Sequence, residues 1–182
     1  ALDYETLGRG AGGIIYASYG KEKEEALNSI GYMIGDINGD SFPELVIGSM
    51  DKSLPGTELY TIYQVNEEQT RTLCWIMAEP RTKVMYMQDG GFYFNQEDPA
   101  SREYPFGVLN VYDTDTYLGC TEYYFLGYDP LNNSDVYYRN TLGWFDIDAS
   151  EKLDFTDEDF INKDNELQQQ CAHLELMKHN SK

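Results

Sequence analysis

Short β-prone runs, each closed by turn-forming residues, recur along most of this chain and constrain its fold more than any other feature. They occupy residues 58–65, 70–77, 83–87, 91–95, 108–112, 122–128, 136–139 and 142–147. Between them lie Pro55-Gly56, Asn66-Glu67, Asp89-Gly90-Gly91, Asp129-Pro130 and Asn132-Asn133. Glycine reaches positive φ, proline fixes φ, and Asn and Asp bond their own backbone, so each cluster reverses the chain. Sequential strands joined this tightly pair antiparallel, because a parallel pair needs a long crossover. Asp89-Gly90 between two such runs predicts a hairpin. There is no repeat of fixed period and no low-complexity linker.

The ends of the chain read differently. Residues 21–27 form a short charged helix, followed by strands at 32–34 and 45–48. Near the C-terminus the period changes. Thr156 can cap a helix, Asp159 completes a capping box, and Phe155 can staple to Phe160. Leu167, Cys171 and Leu174 recur at helical spacing, which predicts a packing face and a helix over 155–178. The expected fold is therefore α+β: a single domain over 1–182, mainly an antiparallel β-meander, with a short N-terminal helix and a C-terminal helix packed on it. A sandwich or a partly propeller-like arrangement is the alternative.

The 182 residues, 41% of them hydrophobic, suffice for a sizeable core. Against 13 basic residues stand 32 acidic ones, a net charge of −19. Such a field repels phosphate backbones and anionic lipid, which argues against nucleic acid and membrane surfaces as partners and favours cations. Most of the acids read as solvated surface. No apolar run is long enough to span a membrane. Cys74, Cys120 and Cys171 form no CxxC unit; a single disulfide is compatible with the count, and the spacing assigns none. Cys74 and Cys171 read as small core residues.

One segment carries chemistry, Asp36-Ile-Asn38-Gly-Asp40-Ser-Phe42-Pro-Glu44. Counting Asp36 as the first position, oxygen-bearing side chains fall at the first, third, fifth and ninth. The Phe42 carbonyl, at the seventh, adds another donor. Calcium is a hard cation that takes about 6–8 oxygens at roughly 2.3–2.6 Å, and a tight loop with alternate residues pointing inward supplies them. Gly39 permits the sharp turn. The bland alternative is an Asx-rich turn with no ion. An EF-hand loop differs: it has glycine at its sixth position and glutamate at its twelfth, where this chain has Ser41 and Ile47. The flanks here also read as strands rather than helices.

The loop resembles the short calcium loops between strands in integrin-type FG-GAP repeats, which usually carry Asp where Glu44 stands. The fuller string, Gly35-Asp36-Ile-Asn-Gly-Asp-Ser-Phe-Pro-Glu-Leu-Val-Ile47, is similar to the DINGDGxPELxI signature of exported, largely uncharacterised proteins and lipoproteins of Gram-positive bacteria. Ser41 replaces that family's usual glycine. The resemblance implies export and metal binding, and no activity. The chain opens on Ala1 rather than Met, which is read as a removed leader. The expected location is extracellular or cell-surface, with lipid anchoring through that leader as one form of it.

Other motifs are weaker. Gly8, Gly10 and Gly13 match G-x-G-x-x-G, but the required preceding strand has no room. Asp146, Asp148 and Ser150, with Asp154, echo the calcium phasing without the wrapping glycine, as does Asp113-Thr-Asp115 more faintly. His173 and His179 fit no metalloprotease spacing, and no G-x-S-x-G occurs. Trp75 and Trp144 lie in apolar runs and read as core. The expected function is a non-enzymatic calcium-binding domain in which Ca²⁺ is structural. A carbohydrate- or protein-binding module of the cell surface using its tyrosines, and an extracellular carboxylate-dependent hydrolase, are the alternatives.

Overall fold

The computed structural model describes residues 14, 18–37, 39, 41–65, 70–75, 82–96, 104–111 and 118–178. These form a helix α1 (Lys23–Ser29), strands β1 (Ile30–Gly35), β2 (Glu44–Ser49), β3 (Leu59–Val65), β4 (Thr70–Trp75), β5 (Thr82–Tyr86), β6 (Phe92–Gln96), β7 (Phe106–Val111), β8 (Leu118–Asp129), β9 (Ser134–Asn140) and β10 (Glu151–Leu153), then a helix α2 (Asp157–Gln169) and a strand β11 (Met177–Lys178). The strands make two antiparallel sheets, ordered β11-β1-β2-β3-β4 and β10-β9-β8-β7-β6-β5. The second sheet is a meander of sequence neighbours, and so is the first apart from β11, which returns to pair with β1. Among the described residues the fold is mostly antiparallel β, with the helices α1 and α2.

Side-chain alternation explains the layering. In the second sheet Val84, Phe92, Phe94, Tyr123, Phe125, Val136 and Tyr138 point to a core shared with Ile37, Val46, Leu59 and Ile62. Their immediate neighbours Met85, Tyr93, Tyr124 and Tyr137 point the other way, into a second cluster with Phe160, Leu167 and Cys171. Both faces of this sheet are thus covered, one by the first sheet and the other by α2. That is why its strands read as unbroken aromatic runs rather than as an apolar–polar alternation. The Asp89-Gly90 hairpin forms between β5 and β6, with Gly90 at φ +88°.

The C-terminal helix starts as expected. Thr156 Oγ1 accepts from the Asp159 N–H at 3.2 Å, and Asp159 Oδ2 accepts from the Thr156 N–H at 2.9 Å. It does not run to 178. It ends at Gln169, and Gln170 turns its N–H back onto Leu167 and Gln168. The following segment pairs with the backbone at the end of β5, where Cys171 bridges Met87. Ala172 donates to the Tyr86 carbonyl and accepts from the Thr57 N–H, while Gln170 accepts from the Gln88 N–H. Cys171 and Leu174 are buried, but through this edge pairing rather than on a helical face. The Pro55-Gly56 turn admits the segment: a Cβ on Gly56 would sit 2.7 Å from the Cys171 Cβ. Unsatisfied donors and acceptors on a strand edge outcompete another helical turn.

The run 142–147 is also no strand. Asn140 accepts from the Leu142 N–H and donates to the Trp144 carbonyl and to Ser150 Oγ, holding the segment as a loop. Gly143 within it has φ +80°. Trp144 is 57% exposed rather than core. Cys120 and Cys171 are free and buried. The side chains of Cys74 and Trp75 lie outside the described residues, as do Gly8, Gly10, Gly13, Asn66, Glu67, Asp113, Asp115 and His179.

Two short bonds tie α2 to the sheet: the Tyr93 hydroxyl donates to Asp164 Oδ1 and the Tyr137 hydroxyl to Asp157 Oδ1, both at 2.6 Å. Burial, then the hydrogen bond to Asp157, push the Tyr137 phenol from 10.0 up to about 12. The folded state therefore holds this proton more tightly than the unfolded chain does. Its stabilising contribution is whole below pH 10.0 and is lost as pH rises toward about 12. Tyr137→Phe is expected to show a shallower loss of urea resistance across that window than the wild type. Parallel slopes would show that this phenol does not contribute.

Candidate metal loop

β1 and β2 pair in continuous register from Ile30↔Ser49 to Gly35↔Glu44. The connection is therefore residues 36–43, and Glu44 is the first residue of the returning strand. Asp36, exposed, organises the turn: its Oδ1 accepts the Gly39 N–H at 2.7 Å and its Oδ2 the Ser41 N–H at 2.9 Å. The backbone wraps around this carboxylate, which requires left-handed residues. Gly39 has φ +80° and Ser41 φ +72°.

Ser41 therefore occupies a position that suits glycine. A left-handed conformation costs a non-glycine residue about 1–2 kcal/mol, and glycine's extra unfolded-state freedom cancels roughly 0.5–1 of that. Ser41→Gly is expected to raise the unfolding free energy by about 0.5 kcal/mol in urea titration. A loss of stability would mean that the serine side chain contributes a bond worth more than the strain.

Glu44 closes the loop from below. It is fully buried, and its Oε2 accepts the Ile37 N–H at 3.0 Å. Ile37, at the second position, inserts its side chain into the core between the sheets. The β5–β6 turn backs the loop, since a Cβ on Gly90 would lie 3.4 Å from the Ile37 carbonyl oxygen. The loop is thus anchored by an apolar plug, a buried carboxylate and a neighbouring turn. The Phe42 side chain is exposed.

Of the expected ligands, the structure places Asp36, Phe42 and Glu44 on one eight-residue connection and its first strand residue; Asn38 and Asp40 lie outside the described residues. Among the described residues no three His, Cys, Asp or Glu side chains group to hold a metal ion. The described donors fit a hard cation. A carboxylate has about four lone-pair sites, so the two N–H bonds on Asp36 leave capacity for an ion. The carboxylate at the ninth position is already buried beneath the turn. If calcium binds, Asp36, Asn38, Asp40, the Phe42 carbonyl and Glu44 would hold it.

The other candidates are local structure. Asp146 Oδ1 accepts the Ala149 N–H three residues on at 3.0 Å, a bond local to the turn, while Asp148 and Asp154 are exposed. His173 is exposed. Burial pushes the Cys120 thiol up to about 11 and the Cys171 thiol to about 12, which keeps both protonated and poorly nucleophilic at neutral pH. Alternation of oxygen donors made the loop visible in the sequence. The burial of Glu44 and the anchoring by Ile37 were not visible, because both depend on packing against the second sheet. Comparison with protein-family models, with curated proteins and with solved structures finds no match to this chain.

Proposed function

We propose that this chain is an exported or cell-surface domain whose 36–44 loop binds one calcium ion, and that the ion is structural. The observation that carries this reading is the wrapped Asp36 carboxylate with the buried Glu44 carboxylate closing the same loop. The ligands sit on a connection between adjacent strands, so an ion there fixes the strand register rather than facing a substrate. Export is supported by the likeness of the loop string to the signature of exported proteins, and by the weak affinity expected of such a loop. Extracellular modules bind calcium at about 10⁻⁴–10⁻³ M, a range suited to calcium-rich surroundings. Among the described residues no helix is long and apolar enough to cross a membrane.

Calorimetric titration of metal-free protein tests the reading. One calcium per chain in that affinity range is expected, with magnesium weaker and with no heat from a variant carrying Asp36→Ala and Asp40→Ala. Preference for magnesium, or equal heats from wild type and variant, would sink it. A glycan- or protein-binding module is the second reading, favoured by the exposed indole of Trp144 on its loop. Retention on a glycan array that is lost in Trp144→Ala would support it.

A further inference from the structure

On the opposite side of the second sheet from the calcium loop, a cleft of about 410 Å³ opens between α2 and the sheet. That volume falls within the range of small-ligand sites, about 300–1,000 Å³. Its floor is aromatic and buried, made by Phe106, Tyr137 and Phe160. Three polar side chains line it from separate parts of the chain: Asn95 on β6, Tyr104 just before β7, and Asp157 at the start of α2.

Each of these three has hydrogen-bonding capacity to spare. Asp157 Oδ1 accepts from the Tyr137 hydroxyl at 2.6 Å, and Asn95 Nδ2 donates to Asp164 Oδ2 at 3.3 Å. Among the described residues nothing bonds the other Asp157 oxygen, the Asn95 amide oxygen or the Tyr104 hydroxyl. The first two only accept, and the hydroxyl both donates and accepts. Tyr104 is also strained. Its φ is +36°, although it is bulky and precedes Pro105, and each of these properties disfavours that conformation. The side chain is 49% exposed, so burial does not offset the strain. Backbone strain of this kind clusters at ligand clamps.

This lining selects by shape and hydrogen bonding. The complementary molecule carries several O–H donors around a compact body and presents C–H surface to aromatic rings. A pyranose sugar has both: hydroxyls for the carboxylate, amide and phenol, and ring C–H groups for the aromatic floor. A bare metal ion would leave the floor unused. A wholly apolar ligand would shut water away from three polar groups and give them nothing in return.

We propose that this cleft binds a neutral pyranose, its hydroxyls on Asp157, Asn95 and Tyr104 and its C–H face against the aromatic floor. The site is independent of the calcium loop and of Trp144. An NMR titration of the calcium-loaded protein tests it, with the methyl glycosides of glucose, galactose, mannose and N-acetylglucosamine as probes. At least one should saturate with Kd below about 10 mM, shifting amides of β6 and α2. Cyclohexanol, a ring without the hydroxyl pattern, and sorbitol, an open chain with it, should each bind at least about tenfold more weakly. Asp157→Asn keeps an acceptor for the Tyr137 hydroxyl and should weaken the sugar about fivefold, because a charge-assisted bond becomes a neutral one. Tyr104→Gly separates binding from folding. Glycine takes a positive φ without strain, so the urea midpoint should match or exceed the wild type's, yet affinity should fall at least about tenfold. The proposal is overturned if none of the four glycosides binds, or if cyclohexanol or sorbitol binds as tightly as the best of them. It is equally overturned if both variants keep the wild-type affinity, or if Trp144→Ala abolishes binding. Asp36→Ala, which disables the calcium loop, should leave sugar binding intact.

Discussion

Phe160→Ala is expected to lower the unfolding free energy by about 3–5 kcal/mol, the cost of emptying a buried aromatic site. The Phe160 ring packs edge-on to Phe106 at 4.8 Å between centroids and tilted on Tyr137 at 4.6 Å. A thirteen-residue helix is marginal by itself in water, so tertiary contacts hold it. In α2 only Phe160 and Leu167 are buried, which makes Phe160 one of two apolar anchors. With it gone, the Tyr93–Asp164 and Tyr137–Asp157 bonds remain, each worth about 1.5–3 kcal/mol because its acceptor is a carboxylate, less than the lost ring. The helix should then open locally before the sheets do. Hydrogen exchange should show amides 157–169 losing protection ahead of those in β7 and β8. The exposed Glu158→Ala, on the same helix, should stay within about 0.5 kcal/mol of wild type. A loss below about 1 kcal/mol with helix protection unchanged would show that α2 is not held to the sheet through this ring.

Saturating calcium is expected to raise the melting temperature by about 5–10 °C over a chelator. Mass action gives roughly 1.4 kcal/mol at tenfold excess over Kd and about 2.7 kcal/mol at a hundredfold. For a domain of this length each kcal/mol moves the midpoint by about 2–4 °C. The effect follows from the loop's construction. Within nine residues the sequence sets three carboxylates, Asp36, Asp40 and Glu44, in a chain already at −19, and Glu44 is fully buried. A cation removes that repulsion and fixes the Gly35↔Glu44 end of the β1–β2 ladder. Glu44→Gln separates the terms. It keeps the side-chain length and an acceptor for the Ile37 N–H, but removes the charge. Its midpoint in chelator should match or exceed the wild type's, while most of the calcium response disappears. A metal-free wild type indifferent to calcium and chelator alike would remove the structural-metal reading. Stabilisation by magnesium instead would show that the loop selects a different ion.

Local chemistry in the sequence determined a good deal. Glycine, proline, Asn and Asp clusters located the turns, because positive φ and side-chain-to-backbone bonds need no distant partner; the β5–β6 and β8–β9 reversals lie where these residues placed them. Thr156 and Asp159 fixed where α2 begins for the same reason: the capping box closes within four residues. The wrap around Asp36 was equally local, two N–H bonds reaching back three and five positions.

What the tertiary structure alone decided are the choices in which several local answers were nearly equal and burial chose among them. The run 142–147 is apolar enough for a strand, yet the Asn140 side chain takes its backbone bonds and leaves Trp144 in solvent. Leu167, Cys171 and Leu174 keep a helical spacing, but only Leu167 lies on the helix. Tyr86 at the end of β5 and Thr57 offered Ala172 backbone partners that a further helical turn could not match. The division of the meander into two sheets, the covering of the second sheet on both faces, the burial of Glu44 and the cleft beside α2 all rest on contacts between residues far apart in the chain. No window of sequence contains both partners of such a contact, so its free energy cannot be read from either one.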